Sequence, residues 1–367
     1  MNELSGVATI SYGMTDRELR RRSREAATAD DPIAHLRLGL ALFRTGDLEG
    51  ARAALLRASE LAPLLQAPPA ALREVLAQVA ARDLPDAEGR IGRYAIRQLL
   101  RAVNDEAPLR TFLASDLKKM RRVVLRLRSY VGRSKPEDFE RLAVRLEPAR
   151  ELRHPNVAKV LEVQRMLVEH PRVTHEHHLL VSEYTKDPSL SVLIALGPME
   201  PLRVARILRQ ILLACEAAHR RGLVHRLLYP EKIHIAAGRE DHVRVRDFGL
   251  AVFLGATGKG CGLLGTAVLA YAPPEVLVAD PCDHRADLYA AGAIAYAMLG
   301  GAPPFRWDVK RERMRSILGQ TPVPLPAQVR ARIPRELESL VMRLLAREPD
   351  DRPASARDAI DALDAIV

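Results

Sequence analysis

The chain has 367 residues, of which 48% are hydrophobic and 28% charged, and its formal net charge at pH 7 is +10. This length predicts two domains or one large domain with an extension, and the apolar content is sufficient for a sizeable core. The cysteines Cys215, Cys261 and Cys282 are far apart and match neither a paired nor a metal-ligand spacing. This argues against a disulfide framework and favours free thiols in a reducing compartment.

No segment is typical of a secretion signal or of a membrane span. The first residues carry no basic region leading into an apolar run. The longest apolar stretch, 290–305, contains four glycines or prolines after Leu299 and is shorter than the roughly 20 residues that a span requires. We predict that this stretch is a buried helix and that the protein is cytoplasmic.

The positive charge is concentrated between Arg90 and Arg153, where 17 Lys or Arg stand against 8 Asp or Glu. Such a surface can attract nucleic acid, anionic lipid or an acidic protein. The arginines are spread over several elements, however, and no stacking aromatics are interleaved with them. We therefore favour a solvated basic surface and do not expect nucleic acid as a partner.

Residues 31–63 predict two short antiparallel helices. Leu36, Leu40 and Phe43 recur at helical spacing, a Gly46-Asp47 pair interrupts the pattern, and a second apolar stripe follows. The segment resembles one tetratricopeptide repeat, although His35 stands where that family has tryptophan. The matching positions are Leu38, Gly39, Ala51, Ala58 and Pro63.

A second copy of the repeat is not found on either side, and one repeat cannot bury its own hydrophobic face. Helical stretches at 14–29 and 70–82 are expected to flank it. A peptide-binding groove and a helical cap on the next domain are both compatible with this region. The cap is favoured, because a lone repeat offers little concave surface. We assign 1–82 to this repeat-like region and 83–90 to a linker.

From Ile91 onward the pattern predicts an α+β domain, 91–367, with a small strand-rich lobe followed by a large helical lobe. A helix is expected after the N-cap Ser134, with Pro136 in its first turn. Beyond Pro201 most of the sequence is helical. The predicted strands are Tyr94–Leu100, Arg110–Ser115, Val123–Leu127, Asn156–Val163 and His178–Tyr184.

Eight short motifs follow one another in this domain, and together they resemble a bacterial serine/threonine protein kinase. The resemblance covers residue 91 to the end and implies a two-lobed fold, with a small lobe at about 91–185 and a large lobe at about 186–367. The motifs are His154-Pro155-Asn156, Val224-His225-Arg226, Pro230-Glu231, Asp247-Phe248-Gly249, Pro274-Glu275, Asp287-Leu288-Tyr289, Pro303-Pro304-Phe305 and Arg352-Pro353.

The resemblance also implies that several catalytic parts are missing, beginning with the phosphate cover. A kinase needs a glycine-rich turn there, because glycine lets backbone N–H groups approach phosphate closely. The corresponding segment is 101–109, and no glycine occurs from Arg93 to Val131. Asp105 and Glu106 stand where the polyanion would lie, so like charges oppose binding.

The residue that binds the α- and β-phosphates in the family is replaced as well. Arg126 replaces the family's lysine, and Val124 replaces the alanine above the adenine. Arg145 occupies the position of the partner glutamate, while Glu147 lies about 200° further around the helix. We expect Pro148 to break or kink that helix.

The catalytic loop departs furthest from the family pattern H-R-D-L-K-P-E-N. Leu227 occupies the position of the base, Tyr229 that of the lysine and Lys232 that of the metal-binding asparagine. Leucine accepts no proton, and an ammonium group repels Mg²⁺. His234 is expected on the pocket floor, where the family has an apolar residue.

The retained residues have structural roles in the family. The resemblance implies that His225 and Arg226 brace the catalytic loop, that Asp287 ties it to the central helix, and that Glu275 pairs with Arg352. Phe248 and Gly249 complete the Asp-Phe-Gly motif. If a nucleotide binds, the residues implied are Arg126, Glu183, Thr185 and Asp247, and Asp247 alone is a weak Mg²⁺ site.

Two further segments leave alternatives open. The stretch 250–272, with Thr257 and Thr266, is either a phosphorylation switch acting through Arg226 or a collapsed loop, and the loop is favoured. A histidine-rich stretch suggests metal, but it fits no zinc spacing and is better explained as a polar hairpin. Its members are His170, His175, His177 and His178.

Three hypotheses follow from this pattern. The leading one is a pseudokinase that binds a protein partner, such as an active kinase or a signalling complex, without cofactor. The alternative is a weakly active atypical ATP-dependent kinase or another nucleotidyl-transferring enzyme on the same fold. The third is an anion-binding adaptor that acts through the basic small lobe.

Overall fold

The computed structural model describes residues 89–103, 109–131, 136–169, 174–236, 241–255, 269–277, 280–305 and 325–366, and eight residues between His35 and Arg57. Those eight are helical, and Leu38, Leu42 and Ala54 among them are buried. The rest of the predicted repeat, the acidic loop at 104–108 and Thr257 and Thr266 lie outside the described residues. The domain limits 1–82 and 91–367 therefore stay a prediction.

The chain divides into two compact units, and the division cuts through three strands. One unit comprises Met1–Lys119, Leu127–Ser134 and Arg165–His178, and the other comprises Met120–Arg126, Lys135–Gln164 and Leu179–Val367. Among the described residues from 89 onward, the first unit consists mainly of strands, and the helices beyond residue 135 belong to the second. The predicted α+β class is confirmed.

Six strands form one sheet in the order β1-β2-β3-β4-β6-β5, and β1, β2 and β3 pair as an antiparallel meander. Ile91, Tyr94 and Ala114 are buried on this meander. The strand bounds are β1 Arg90–Ile91, β2 Tyr94–Val103, β3 Leu109–Asp116, β4 Arg121–Val131, β5 Val160–Glu169 and β6 Thr174–Glu183.

Several predicted boundaries on this sheet differ from the structure, since β2, β4 and β5 continue past their predicted ends at Leu100, Leu127 and Val163. Arg90, assigned to the linker, begins β1, a strand too short to show a period. Strand β5 begins at Val160 and not at Asn156, because a turn closed by Val157 N and the His154 carbonyl precedes it. Since β6 already begins at Thr174, the histidines from 175 to 178 lie in a strand and not in a hairpin loop.

Helix α1, Pro136–Glu151, begins at the predicted proline and continues through Pro148. We predicted that Pro148 breaks or kinks this helix, and the break is wrong because the helix is continuous. Proline in a helix interior costs about 3 kcal/mol, but here it lies in the last turn, and Leu146 and Ala149 on either side of it are fully buried. Tertiary packing outweighs the local preference.

The second unit is built around helix α6, Arg285–Gly300, which is buried from Ala286 to Leu299. It packs against α3, Pro201–His219, and α8, Arg335–Leu344. The predicted buried helix is thus present, but it ends at Gly300, because Gly301 adopts a left-handed conformation with φ 75°. Within the described ranges no helix has both the length and the hydropathy needed to cross a bilayer.

The remaining elements of this unit are short. A 3₁₀ turn at Pro230–Lys232 leads into the hairpin of β7, Ile233–Ala236, and β8, His242–Val245. The site described below includes residues of this hairpin and residues directly before and after it. The other helices are α2 Leu190–Ala195, α4 Leu250–Phe253, α5 Pro274–Leu277, α7 Ala327–Arg330 and α9 Ala356–Asp364.

Candidate functional site

The loop that follows α3 is anchored to α6 by one carboxylate. The backbone N–H groups of His225 and Arg226 donate to the two carboxylate oxygens of Asp287, each at 2.8 Å. Burial opposes ionisation of Asp287, but a hydrogen bond from His219 and nearby backbone donors bring its pKa below the ordinary value. The charge is therefore kept in the core, where it fixes the path of the loop.

His225 connects this loop to the segment after β8. Its Nε2–H donates to the Arg246 carbonyl at 2.8 Å, so Nδ1 accepts from Leu227 N at 3.2 Å. The ring packs edge to face on Phe248 with centroids 4.7 Å apart. Burial lowers the pKa of His225, which agrees with a neutral ring held by one donor and one acceptor.

The backbone at the two loops is held in sparsely populated conformations. Arg226 and Asp247 have φ values of 61° and 72°, which non-glycine residues adopt only where surrounding contacts enforce them. Gly249 has φ 87°, and a Cβ there would lie 2.8 Å from the Ala149 Cβ of α1. The segment 247–249 is therefore fixed against that helix, and only glycine fits at its end.

Two cations of the chain bind the two carboxylate oxygens of Asp247. The Arg126 guanidinium contacts Oδ1, and the Lys232 ammonium lies 2.5 Å from Oδ2. Arg126 and Asp247 are each 2% exposed. Burial raises the pKa of Asp247, but Arg126 and Lys232 more than compensate, so its pKa lies far below the usual range. Asp247 is ionised, and each of its oxygens contacts a cation, but only Oδ2 accepts a hydrogen bond, from Lys232.

The two cations have further partners of their own. Arg126 Nη1 donates to Ser182 Oγ at 2.8 Å, and the Lys232 ammonium lies 5.3 Å from the centroid of the Tyr229 ring. Burial lowers the pKa of Arg126, and the Asp247 charge opposes that shift. Together these residues form a buried polar cluster in which two cations share one carboxylate, so the cluster keeps a net positive charge.

The side chains that would carry out proton transfer are absent from this cluster. Leu227 and Tyr229 are 5% and 3% exposed. The Leu227 side chain has no acceptor, and Lys232 supplies a charge of the same sign as a metal ion. Mg²⁺ prefers free carboxylate and water oxygens, so this donor set does not fit a magnesium ion.

His234 is buried beside this cluster as a neutral side chain. A carbonyl only accepts, so Nδ1–H donates to the Asp187 carbonyl at 2.6 Å, and Nε2 then accepts from Arg246 Nη1 at 2.9 Å. Burial and the Arg246 charge lower the pKa of His234. Protonation would place a second N–H against the guanidinium.

Acidification is therefore expected to destabilise the protein in part through His234. Because its pKa in the folded state is depressed, its contribution is present above the ordinary value of 6.5 and is lost as the pH falls below that value. One such proton contributes at most about 1.4 kcal/mol per pH unit. Urea unfolding at pH 7.5, 6.5 and 5.5 should give a shallower pH dependence for His234→Leu than for the wild type. The same dependence in both would contradict this, and the exposed His242→Gln on the same hairpin is the control.

The other residues implied for nucleotide binding have different contacts. Glu183 accepts from Arg244 Nη2 at 2.6 Å and from Lys159 N at 3.2 Å, and Thr185 is buried. Sequence reasoning missed Ser182 and Arg246 as parts of the site. Arg246 immediately precedes Asp247 in the chain, so its charge was a usable signal, whereas the Ser182 contact depends on strand pairing.

A second buried ion pair, between Arg352 and Glu275, links two segments of the helical unit. Arg352 is fully buried as a side chain and donates to both Glu275 oxygens, at 2.7 and 2.9 Å. It also donates to the backbone carbonyls of Arg285, Ala346 and Arg347. The pair joins α5 to the segment before α9, which is a structural role.

Among the described residues, Cys215, His219 and Asp287 place possible metal ligands within 4.8 Å of one another. Asp287 already accepts the two loop N–H groups and His219 Nε2. Burial raises the pKa of the Cys215 thiol well above its usual value, whereas metal binding requires a thiolate. His219 and Asp287 are a hydrogen-bonded support of the loop, and Cys215 is a buried free thiol beside them.

Comparisons with known proteins agree on one family, the protein kinases. A model of the protein kinase domain matches residues 118–362, two thirds of the chain. The chain is 39% identical over 170 residues to the serine/threonine-protein kinase PknH of Mycobacterium bovis, covering 46% of this chain and 28% of that protein. It is 31% identical over 283 residues to the serine/threonine-protein kinase pkn3 of Myxococcus xanthus, covering 74% of this chain and 50% of that protein. The chain thus spans half or less of the length of these relatives.

Proposed function

Because the chain belongs to the protein kinase family, we propose that it is a pseudokinase, a member with a degenerate phosphotransfer site that acts as a regulatory or scaffold module. The observation that carries the proposal is the pairing of both Asp247 oxygens with Arg126 and Lys232. In a phosphotransfer site the carboxylate would face a metal ion and the basic side chain would face phosphate.

Nucleotide binding would have to disrupt this cluster. For Arg126 to reach a phosphate it must leave Asp247 and Ser182, and for Mg²⁺ to reach the carboxylate Lys232 must withdraw. Breaking a buried ion pair costs about 3–5 kcal/mol when one charge is left without a partner. Millimolar affinity for a ligand amounts to about 4 kcal/mol. In this exchange Arg126 and Asp247 gain new partners, so the cost is below this figure, but the internal pairing still has to be displaced and so competes with Mg²⁺ and ATP.

Leu227 supports the same proposal for the chemical step. A positioned base contributes roughly 10²–10⁴ in rate, and a buried aliphatic side chain supplies none of it. The glycine-free segment before β3 removes the phosphate cover as well. These losses do not simply multiply, but each acts on a different requirement of the reaction.

The intact framework indicates what such a module does. Asp287, His225 and Phe248 hold the loops through contacts within the chain, and Asp247 has its cation partners without any ligand. A domain with this framework keeps one binding surface whatever the nucleotide level. This property suits docking to a protein partner such as an active kinase, and the region at 1–82, whose sequence predicts helices, is proposed to aid partner choice.

The second candidate is a weakly active atypical kinase or another nucleotidyl-transferring enzyme on this fold. It is favoured by two retained charges, a cation at position 126 and the carboxylate of Asp247. In that case the cluster would be a resting state that opens when nucleotide arrives.

The double variant Leu227→Asp, Lys232→Asn separates the two candidates. We expect neither the wild type nor the variant to transfer phosphate from labelled ATP to itself or to a general acceptor protein. We also expect no Mg²⁺-dependent rise in the unfolding midpoint of the wild type up to millimolar ATP, whereas a ligand at about 100 times its Kd would add about 2.7 kcal/mol.

Phosphotransfer by the variant alone would support the crippled-enzyme candidate, because base and amide would then be the only missing parts. A Mg²⁺-dependent shift in the wild type would contradict the proposal directly. The matched control is Leu227→Asn, Lys232→Asn, which restores the amide without a base and should show no activity under either candidate.

A further inference from the structure

The turn that follows β3 exposes six consecutive residues, 117–122, with the sequence LKKMRR. Its backbone is fixed by Asp116, whose Oδ1 accepts from Lys118 N and Lys119 N, each at 3.1 Å. Asp116 is 1% exposed, and its charge is balanced by Arg93, whose Nε lies 3.2 Å from the same oxygen. The turn therefore has a defined conformation, and the acid that holds it is already paired.

Two side chains of this turn are apolar and exposed. Met120 is 86% exposed and Leu117 is 41% exposed. Met120 also has φ 48°, in the left-handed region, where glycine and asparagine are favoured and a long apolar side chain is uncommon. Neither core packing nor backbone preference accounts for a methionine at this position. A backbone outlier of this kind is a reason to look for a function of the side chain.

The other four residues of the turn are exposed cations, namely Lys118, Lys119, Arg121 and Arg122. Within the part of the chain that the structure describes, no carboxylate forms an ion pair with any of these four side chains. Since Asp116 is paired with Arg93, the turn presents four positive charges and no free acid. Clusters of about four to eight Lys or Arg are characteristic of binding to acidic lipid, so the charge of the turn is complementary to an anionic surface.

We propose that the turn at 117–122 is a docking site for an anionic membrane surface. Met120 and Leu117 enter the boundary between headgroups and acyl chains, while the long basic side chains keep their charges at the headgroup phosphates. The turn contains no aromatic side chain that could stack on nucleobases. A stable protein interface takes roughly 20–30 residues from each side, whereas a lipid surface requires no complementary shape and can be bound by a short turn. The inference does not rest on the catalytic status of the domain.

Vesicle flotation of the full chain tests this site, with phosphatidylcholine alone and with equal parts of phosphatidylcholine and phosphatidylglycerol. We expect binding to the mixed vesicles only, and weaker binding as the salt concentration rises, because salt screens exposed charges. Lys118→Gln combined with Lys119→Gln should weaken binding about 25-fold, since each cation near the membrane contributes about fivefold. Met120→Gln should weaken it about tenfold, because it keeps the length of the side chain but makes the inserted end polar.

Arg332→Gln combined with Arg343→Gln is the matched control, because it lowers the net charge equally at two exposed positions, after α7 and in α8, and should leave binding within about twofold. The lysine variant keeps the backbone N–H groups that donate to Asp116, so its urea unfolding midpoint should equal that of the wild type. No binding to the mixed vesicles, equal weakening by the two double variants, or wild-type binding by Met120→Gln would overturn the proposal. Binding to poly-L-glutamate but not to vesicles would also overturn it and would indicate an acidic protein partner.

Discussion

Replacing Asp247 by asparagine is expected to lower the free energy of unfolding by about 3–5 kcal/mol, although the side chain barely changes in size. The change leaves the buried Arg126 and the largely buried Lys232 without the carboxylate that holds them. Removing one partner of a buried ion pair costs this much because the remaining charge stays desolvated. Urea unfolding at pH 7 in metal-free buffer measures the loss.

The direction of this effect discriminates between two kinds of site. A carboxylate kept for a metal ion, with no cation of its own, would be relieved by neutralisation in metal-free solution. Asp364→Asn is the control, because its pair with Arg209 is on the surface and should contribute little. A loss for Asp247→Asn no larger than that for Asp364→Asn would contradict the pairing described here.

Arg352→Met should have a comparable effect on stability, about 3–5 kcal/mol, for a related reason. The substitution removes the charge that neutralises Glu275 and also withdraws donors from three backbone carbonyls. Methionine retains part of the packing on Tyr289, whose ring centroid lies 5.0 Å from the guanidinium carbon. Urea unfolding again gives the magnitude.

A double-mutant cycle assigns this loss to the ion pair. In the background of Arg352→Met, changing Glu275→Gln should recover part of the stability, since it removes the carboxylate left unpaired. The exposed Arg347→Met serves as the control for loss of a nearby charge. Simple additivity of the two changes would show that Glu275 and Arg352 do not act as a pair.

Local sequence signals predicted some features of the helices and strands correctly and missed others. The N-terminal proline of α1 and the buried character of α6 were readable, because a first-turn proline and an unbroken apolar run are local features. The continuation of α1 through Pro148 was not, since it depends on the packing of Leu146 and Ala149. The start of β5 was also missed, because it is set by a turn at His154.

The sequence by itself determined the family motifs and the missing chemical groups. Which functional groups a chain contains is fixed by residue type, so the lack of a base at Leu227 and of an amide at Lys232 needs no coordinates. The sequence also predicted a cation at Arg126 and an isolated carboxylate at Asp247.

Only the tertiary structure decided what those charges do. Arg126 comes from β4, Lys232 from the turn before β7, and Asp247 from the residues after β8, and the fold brings them within contact distance in a buried place. Ion pairing depends on distance and on the surrounding dielectric, neither of which is written in the order of residues. The carboxylate that the sequence left as a weak metal ligand is thereby the centre of an internal salt bridge.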